Sequence, residues 1–288
     1  MIFPYAKNDS TAPTRRIGKV ILAAAGPGDP DLITVKAVEA IRRADVVLAD
    51  RLVSEVILHR YVPAQPEIVY VGKECRKKVS TPQAEINDLL VRYAQEGKTV
   101  VRLKGGDVSV FSNILDELEA LVSHQIPYEI IPGVTAALGA AAYSGMPLTA
   151  RGYATAVRFL TYYKSDVVTD DYWRDLAATK DTLVFYMSST MLDGVVAKLL
   201  ENKISEEVHV AVIEQATTCF QRVYTCGIHE YEQKLKGKDF ISPSLVIIGR
   251  VVTLQQQFQW LHNSPAREQY FESVARKKQS IIELKKIG

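Results

Sequence analysis

The sequence predicts an α/β protein built from two α/β domains. Three observations carry that reading. Short β-branched runs recur along the chain, segments of helical apolar period separate many of them, and the pattern restarts after Pro147. In the first half, residues 20–23 and 45–49 read as strands, with Val35, Val38 and residues 41–44 as the helical stripe between them. Residues 68–71 and 100–103 read as further strands. Between those two, Thr81 reads as an N-cap, Pro82 as the first turn and Gly97 as the stop of a helix. Residues 128–131 close a series of about five strands in a largely parallel sheet. In the second half, residues 157–161, 182–186, 208–213, 222–226 and 244–248 read as strands, and 192–200 and 254–261 as helices. The division is an arm at 1–17, domains at 18–147 and 148–263, and a basic helical tail at 264–288. Tyr270, Phe271, Val274, Ile281 and Ile282 give the tail a partial apolar stripe. No internal repeat is evident.

The 288 residues carry 35 Lys+Arg and 33 Asp+Glu, which argues against a broad nucleic-acid-binding face. Only the last 25 residues are clearly basic, with six Lys+Arg against three Asp+Glu. A solvated or subunit-packing helix explains them better than nucleic acid. Cys75, Cys219 and Cys226 form no C-x-x-C pair, and the five histidines form no H-E-x-x-H. Neither a disulfide framework nor a metal site is expected. The polar residues 1–19 lack the apolar core of a signal peptide, and no run is long enough to span a membrane. The expected location is the cytoplasm.

Three strand ends are rich in glycine. The first strand runs into Gly26-Pro27-Gly28-Asp29-Pro30, a rigid loop poor in side chains where open α/β sheets bind ligands. It is no dinucleotide fingerprint, because Pro27 separates the glycines and Asp31 occupies the third glycine position. Arg102-Leu103-Lys104-Gly105-Gly106-Asp107 is the second such end, and adjacent glycines let backbone groups approach a ligand. The third, Ile131-Pro132-Gly133-Val134-Thr135-Ala136-Ala137, leads into a helix whose first turn offers free N–H groups. Together they suggest a pocket built from backbone.

The order of these motifs resembles the tetrapyrrole methylase family, most closely its uroporphyrinogen III C-methyltransferases. The resemblance rests on residues 26–30, 44–54, 71–73, 83–87, 100–107, 132–137 and 145–149, with Tyr186-Met187 and Ser242-Pro243, and covers about residues 18–262. It implies a homodimeric enzyme with S-adenosylmethionine in a cleft between the two domains, converting uroporphyrinogen III to precorrin-2 on the route to sirohaem or cobalamin. Family cofactor contacts fall on Pro27, Gly105, Gly106, Asp107, Val110, Thr135, Ala136 and Met187. Ala216 stands where the family has glycine, a change that a negative φ and enough room would permit. Asp50 and Lys73 match the proposed acid–base residues. Arg51, Arg76 and Arg151 are candidates to hold the eight carboxylates of the macrocycle, since guanidinium forks bind carboxylates bidentately. Without the resemblance, Met187 reads as core, Asp50 as the N-cap of a helix beginning near Leu52, and Lys73 as a surface lysine.

The chain departs from the family pattern after Asp107, where the family's arginine and glycine pair become Asn113, Ile114 and Leu115. Ala150 and Tyr163 replace family histidines. These departures lie near the expected substrate mouth. They motivate two alternatives, a methyltransferase of the same fold acting on another substrate and a protein that binds S-adenosylmethionine without turnover. A ribosomal RNA methyltransferase fits less well, because the core is not basic. The resemblance gives no sign of the dehydrogenase and ferrochelatase module sometimes fused to this family.

Overall fold

The computed structural model describes residues 16–72, 81–162 and 168–272. In the first domain, β1 (Lys19–Ala24), β2 (Val46–Ala49), β3 (Glu67–Tyr70), β4 (Thr99–Lys104) and β5 (Tyr128–Ile131) form one sheet in the order β3-β2-β4-β1-β5. Every pairing in it is parallel. Parallel strands need crossovers, and α1 (Val35–Arg42), α2 (Glu55–Tyr61), α3 (Gln83–Gln95) and α4 (Ile114–Ser123) supply them. The sheet is therefore covered on both faces. Along β1, Ile21 and Ala23 enter one apolar cluster, while Val20 and Leu22 enter the other.

The second sheet is mixed. It comprises β6 (Val157–Thr161), β7 (Thr182–Tyr186), β8 (His209–Glu214), β9 (Arg222–Gly227) and β10 (Ser244–Gly249), in the order β6-β7-β10-β8-β9. Only β6 and β7 pair in parallel; the other neighbours are antiparallel. One short antiparallel connection, residues 215–221 between β8 and β9, replaces a crossover here. The helix α5 (Ala136–Ser144) follows the first sheet but packs on the second, since Ala137, Ala140 and Ala141 join the cluster of Val184, Ala211, Ile213 and Ile247. Its alanines let the helix backbone lie close to the strands. The helices α6 (Asp170–Ala178) and α7 (Leu192–Glu201) cover the opposite face through Trp173, Leu176, Val195 and Leu199. Two single turns, α8 (Tyr231–Lys234) and α9 (Gln255–Phe258), complete the domain.

Several local expectations need correction. Pro82, not Thr81, occupies the cap position of α3; Thr81 is buried and donates its N–H to the Gly72 carbonyl. The expected helix at 254–261 is a 3-10 turn over Arg250–Leu254 followed by α9. The tail contains no helix over 264–272. Instead it runs as a strap held by Gln215, whose Nε2 donates to the Glu268 carbonyl at 2.7 Å and whose Oε1 accepts from the Tyr270 N–H at 2.7 Å. Phe271 is buried, and the Tyr270 hydroxyl lies 2.9 Å from Ser54 Oγ in the first domain. Over 264–272, tertiary bonds to Gln215 set the backbone course in place of a helix. The remainder of the tail lies outside the described residues.

Candidate functional site

Because the first sheet is entirely parallel, all its carboxyl ends open on one edge, where the glycine-rich loops meet. Gly26 and Gly106 exchange backbone hydrogen bonds of 3.1 and 2.7 Å, which joins the loops after β1 and β4. Gly106 has φ +70°, and a Cβ there would approach only the Ala136 nitrogen, at 3.8 Å. The space beside Gly106 is therefore open, at the first turn of α5. Gly105 differs. A Cβ there would lie 2.7 Å from Leu52 Cβ and 2.8 Å from the Leu52 carbonyl oxygen, so this glycine is required by packing against the loop after β2.

Asp107 ties two loops together. Its Oδ2 accepts from the Gly133 N–H at 2.9 Å and its Oδ1 from the Ser109 N–H at 2.8 Å. Burial raises the pKa of this carboxyl, but the bonds from Ser109 and Gly133 outweigh that and hold it below the usual carboxylate range.

The second domain closes the site from the other side. Met187 has φ +54° and is 50% exposed just beyond β7, which excludes its reading as a core residue. Gln215 and Thr217 adopt left-handed φ values of 47° and 67°, whereas Ala216 between them does not. The backbone condition for replacing glycine there is met. Val110, Ala136 and Ala216 pack partly buried against one apolar cluster, which brings three candidates from distant parts of the chain together. Pro27 meets α5 so closely that a Cβ on Gly139 would lie 2.7 Å from its Cγ. The Asp29 N–H donates to Thr217 Oγ1 at 3.0 Å, a direct bond between the two halves.

Tyr186 was not singled out by its sequence position, at the end of an apolar strand. Its hydroxyl lies 2.7 Å from Thr135 Oγ1 and accepts from the Ala137 N–H at 3.1 Å. It thus fixes the first turn of α5 from the second domain, where Ala136 N–H has no acceptor among the described residues. The adjacent aromatic–Met pair in the motif was the available signal.

Asp50 lies at the same edge of the first sheet, after β2. It does not cap a helix: α2 begins at Glu55, and Ser54 caps it by accepting from the Val56 N–H. The Asp50 side chain is 29% exposed and lies 3.6 Å from the buried Arg102 guanidinium. Arg51 follows it in a turn at that edge. Arg151 stands apart. It is exposed in the turn closed by Ala150 and Ala154, before β6, whereas Met187 follows the parallel strand β7. The two residues are at opposite ends of the second sheet, so within one chain Arg151 does not join the Asp50 edge. Lys73, Arg76 and Tyr163 lie outside the described residues. Asn113 takes φ +52° at the start of α4, a left-handed conformation that asparagine tolerates, while Ile114 and Leu115 enter the helix itself.

The family model for Tetrapyrrole (Corrin/Porphyrin) Methylases matches residues 19–232. The chain belongs to the tetrapyrrole methylase family. Siroheme synthase from Pseudomonas putida is 42% identical over 88% of this chain, and that from Pseudomonas fluorescens is 44% identical over 86%. The chain spans about half the length of these curated relatives, 54% and 53%. Among solved structures, a uroporphyrin-III C-methyl transferase from Thermus thermophilus, complexed with S-adenyl homocysteine, is 36% identical with a TM-score of 0.68. The match covers 82% of this chain and 93% of that one. A cobalt precorrin-4 methyltransferase is 26% identical with a TM-score of 0.72, covering 84% of this methylase and 99% of that chain. Among the described residues of this methylase, no helix is long and apolar enough to cross a membrane.

Proposed function

We propose that this protein is an S-adenosylmethionine-dependent C-methyltransferase that converts uroporphyrinogen III to precorrin-2, in the biosynthesis of sirohaem or cobalamin. The observation that carries the reading is that Gly106 opens beside the Ala136 N–H, that Ala136 and Ala216 pack against one apolar cluster, and that a partly exposed Asp50 follows β2, the neighbour of β4, at the same sheet edge. The open space beside Gly106 and the free Ala136 N–H suit a ligand with polar groups that needs close backbone approach. S-adenosylmethionine fits such a site, with Pro27, Gly105, Asp107, Val110 and Thr135 forming or bracing its walls. When bound, it supplies an electrophilic methyl group and leaves as S-adenosylhomocysteine.

Asp50 would accept the proton that the cationic methylated ring system must lose, or stabilise the positive charge on it. Arg51 would hold a substrate carboxylate at the same edge. The position of Arg151 allows it to hold a substrate carboxylate only if a second copy completes the mouth. A homodimer through the apolar groove of about 740 Å³ formed by Leu138, Met146, Leu148, Phe159 and Phe258 is the arrangement we propose. Sedimentation of the full chain tests it. The reaction belongs in the cytoplasm in this reading.

The deciding assay incubates the full chain with S-adenosylmethionine and uroporphyrinogen III and follows methylated product by mass spectrometry. Asp50→Asn should lower turnover about 10²–10⁴-fold while S-adenosylmethionine affinity is kept. Binding of S-adenosylmethionine with no methyl transfer to uroporphyrinogen III overturns the reading. A second reading, methylation of a different tetrapyrrole, is favoured by one observation: Leu115, 65% exposed, stands where the family has glycine.

A further inference from the structure

Beneath Asp50 lies an ionic cluster that the proposed reaction does not use. Arg102 is 2% exposed, Lys104 3% and Glu117 not at all. Charged groups are seldom buried so deeply without paired charges, because desolvation is costly. Here two cations share one carboxylate: Glu117 Oε1 accepts from Arg102 Nε and from Lys104 Nζ, each at 3.0 Å. One buried positive charge is then left over. The Arg102 fork resolves this by reaching outward. Nη1 donates to the carbonyls of Leu48 and Leu103, both at 3.3 Å, and Nη2 lies 3.6 Å from Asp50 Oδ2. With Lys104 protonated, the cluster balances its charges only when the Asp50 carboxylate is counted with it.

The other side of Asp50 is equally constrained. Its Oδ1 accepts from the Arg51 N–H at 3.2 Å. A Cβ on Gly72 would come within 2.8 Å of that oxygen, so the glycine leaves the space the carboxylate fills. Burial, then the neighbouring Arg102, lower the Lys104 pKa against the opposing pull of Glu117. Arginine remains charged in any such setting, which makes Arg102 the constant partner.

We infer that Arg102, anchored by Glu117, is a positioning residue that orients the Asp50 carboxylate toward the cleft and balances its charge. The inference rests on the proposed role of Asp50. Arg102 touches no substrate; it acts through the carboxylate in front of it. Lysine cannot replace it fully, because a single ammonium does not span Glu117 and Asp50 as a guanidinium fork does.

The test uses the full chain with S-adenosylmethionine and uroporphyrinogen III. Arg102→Met leaves Lys104 and Glu117 as a balanced pair. It should lower kcat about ten- to a hundredfold, the scale of a small misplacement of a reacting group. The KM for the tetrapyrrole and the calorimetric Kd for S-adenosylmethionine should stay within about twofold. Arg102→Lys, which keeps the charge and protects folding, should give an intermediate kcat. In an Asp50→Asn background, Arg102→Met should cause no further loss. Wild-type kcat in Arg102→Lys, or an equal loss in both backgrounds, overturns the positioning role while leaving the function of Asp50 intact. Unchanged turnover in Asp50→Asn removes the proton-accepting role first, and the positioning role with it.

Discussion

Tyr186→Phe isolates one hydroxyl that joins the two domains. The ring would keep its packing, since Phe111 and Phe159 lie 5.0 and 5.7 Å from it between ring centroids. The lost oxygen bonds Thr135 Oγ1 and the Ala137 N–H in a site where Tyr186 is only 8% exposed. Burial raises the phenol pKa, so the neutral hydroxyl is the form that matters near neutral pH. A typical bond contributes about 0.5–1.5 kcal/mol, and a buried donor left without a partner costs about 1–3 kcal/mol. Removing both bonds while orphaning the Ala137 N–H should therefore cost about 2–3 kcal/mol. With an m-value of about 3 kcal/mol/M in urea, the midpoint should fall by about 0.7–1 M. Equilibrium unfolding followed by fluorescence measures it. A midpoint within about 0.2 M of wild type, at unchanged m, would refute the assignment of this hydroxyl as the link.

Asp107→Asn should destabilise the protein at neutral pH by about 1–3 kcal/mol, because an amide cannot accept all the bonds the carboxylate accepts. The Asp107 pKa is lowered by folding, so its stabilisation is full above the ordinary carboxylate range and is lost as pH falls through that range to the lower folded value. Urea midpoints at neutral and acid pH should therefore differ less in the variant than in the wild type. Tyr270→Phe removes the bond to Ser54 but leaves the Gln215 clasp, and should cost about 1 kcal/mol in the same assay. Gly106→Ala places a methyl in the open space at φ +70° and should weaken S-adenosylmethionine binding at least about tenfold by calorimetry. Gly105→Val should instead damage folding, since the Leu52 backbone fills its Cβ direction.

The ten strands among the described residues were legible because β-branched, apolar runs bounded by turns leave the backbone few other choices. Their pairing was less legible. Periodicity does not distinguish the all-parallel first sheet from the antiparallel neighbours of β10, because both bury their strands on two faces. The tail shows a different limit: Gln215, fifty-five residues before Tyr270, decides its course, and no local pattern carries that information. Asp50 looked like a helix cap because an acidic residue follows a strand, yet Ser54 holds the cap four residues later. The glycines were legible as a group but not individually. Only the fold distinguishes Gly106, which faces open space, from Gly105, which faces a backbone.

The departures from the family pattern at Asn113, Ile114, Leu115 and Ala216 fall where the fold can absorb them. Asn113 adopts the left-handed conformation available to asparagine, and Ile114 and Leu115 then continue as ordinary helix. The new Leu115 side chain points outward enough to be 65% exposed, whereas Glu117, two residues on, has no exposure and anchors Arg102. Opposite faces of one turn of α4 therefore carry an exposed side chain and a buried ionic cluster. Ala216 repeats the logic on the other side, with a methyl where the backbone is not left-handed and left-handed residues on both sides of it. A site assembled from backbone groups and buried charges is compatible with new side chains at its mouth. On the proposed reading, such changes alter what the mouth accepts before they alter the chemistry behind it, so they should show first in the substrate KM, with kcat affected less.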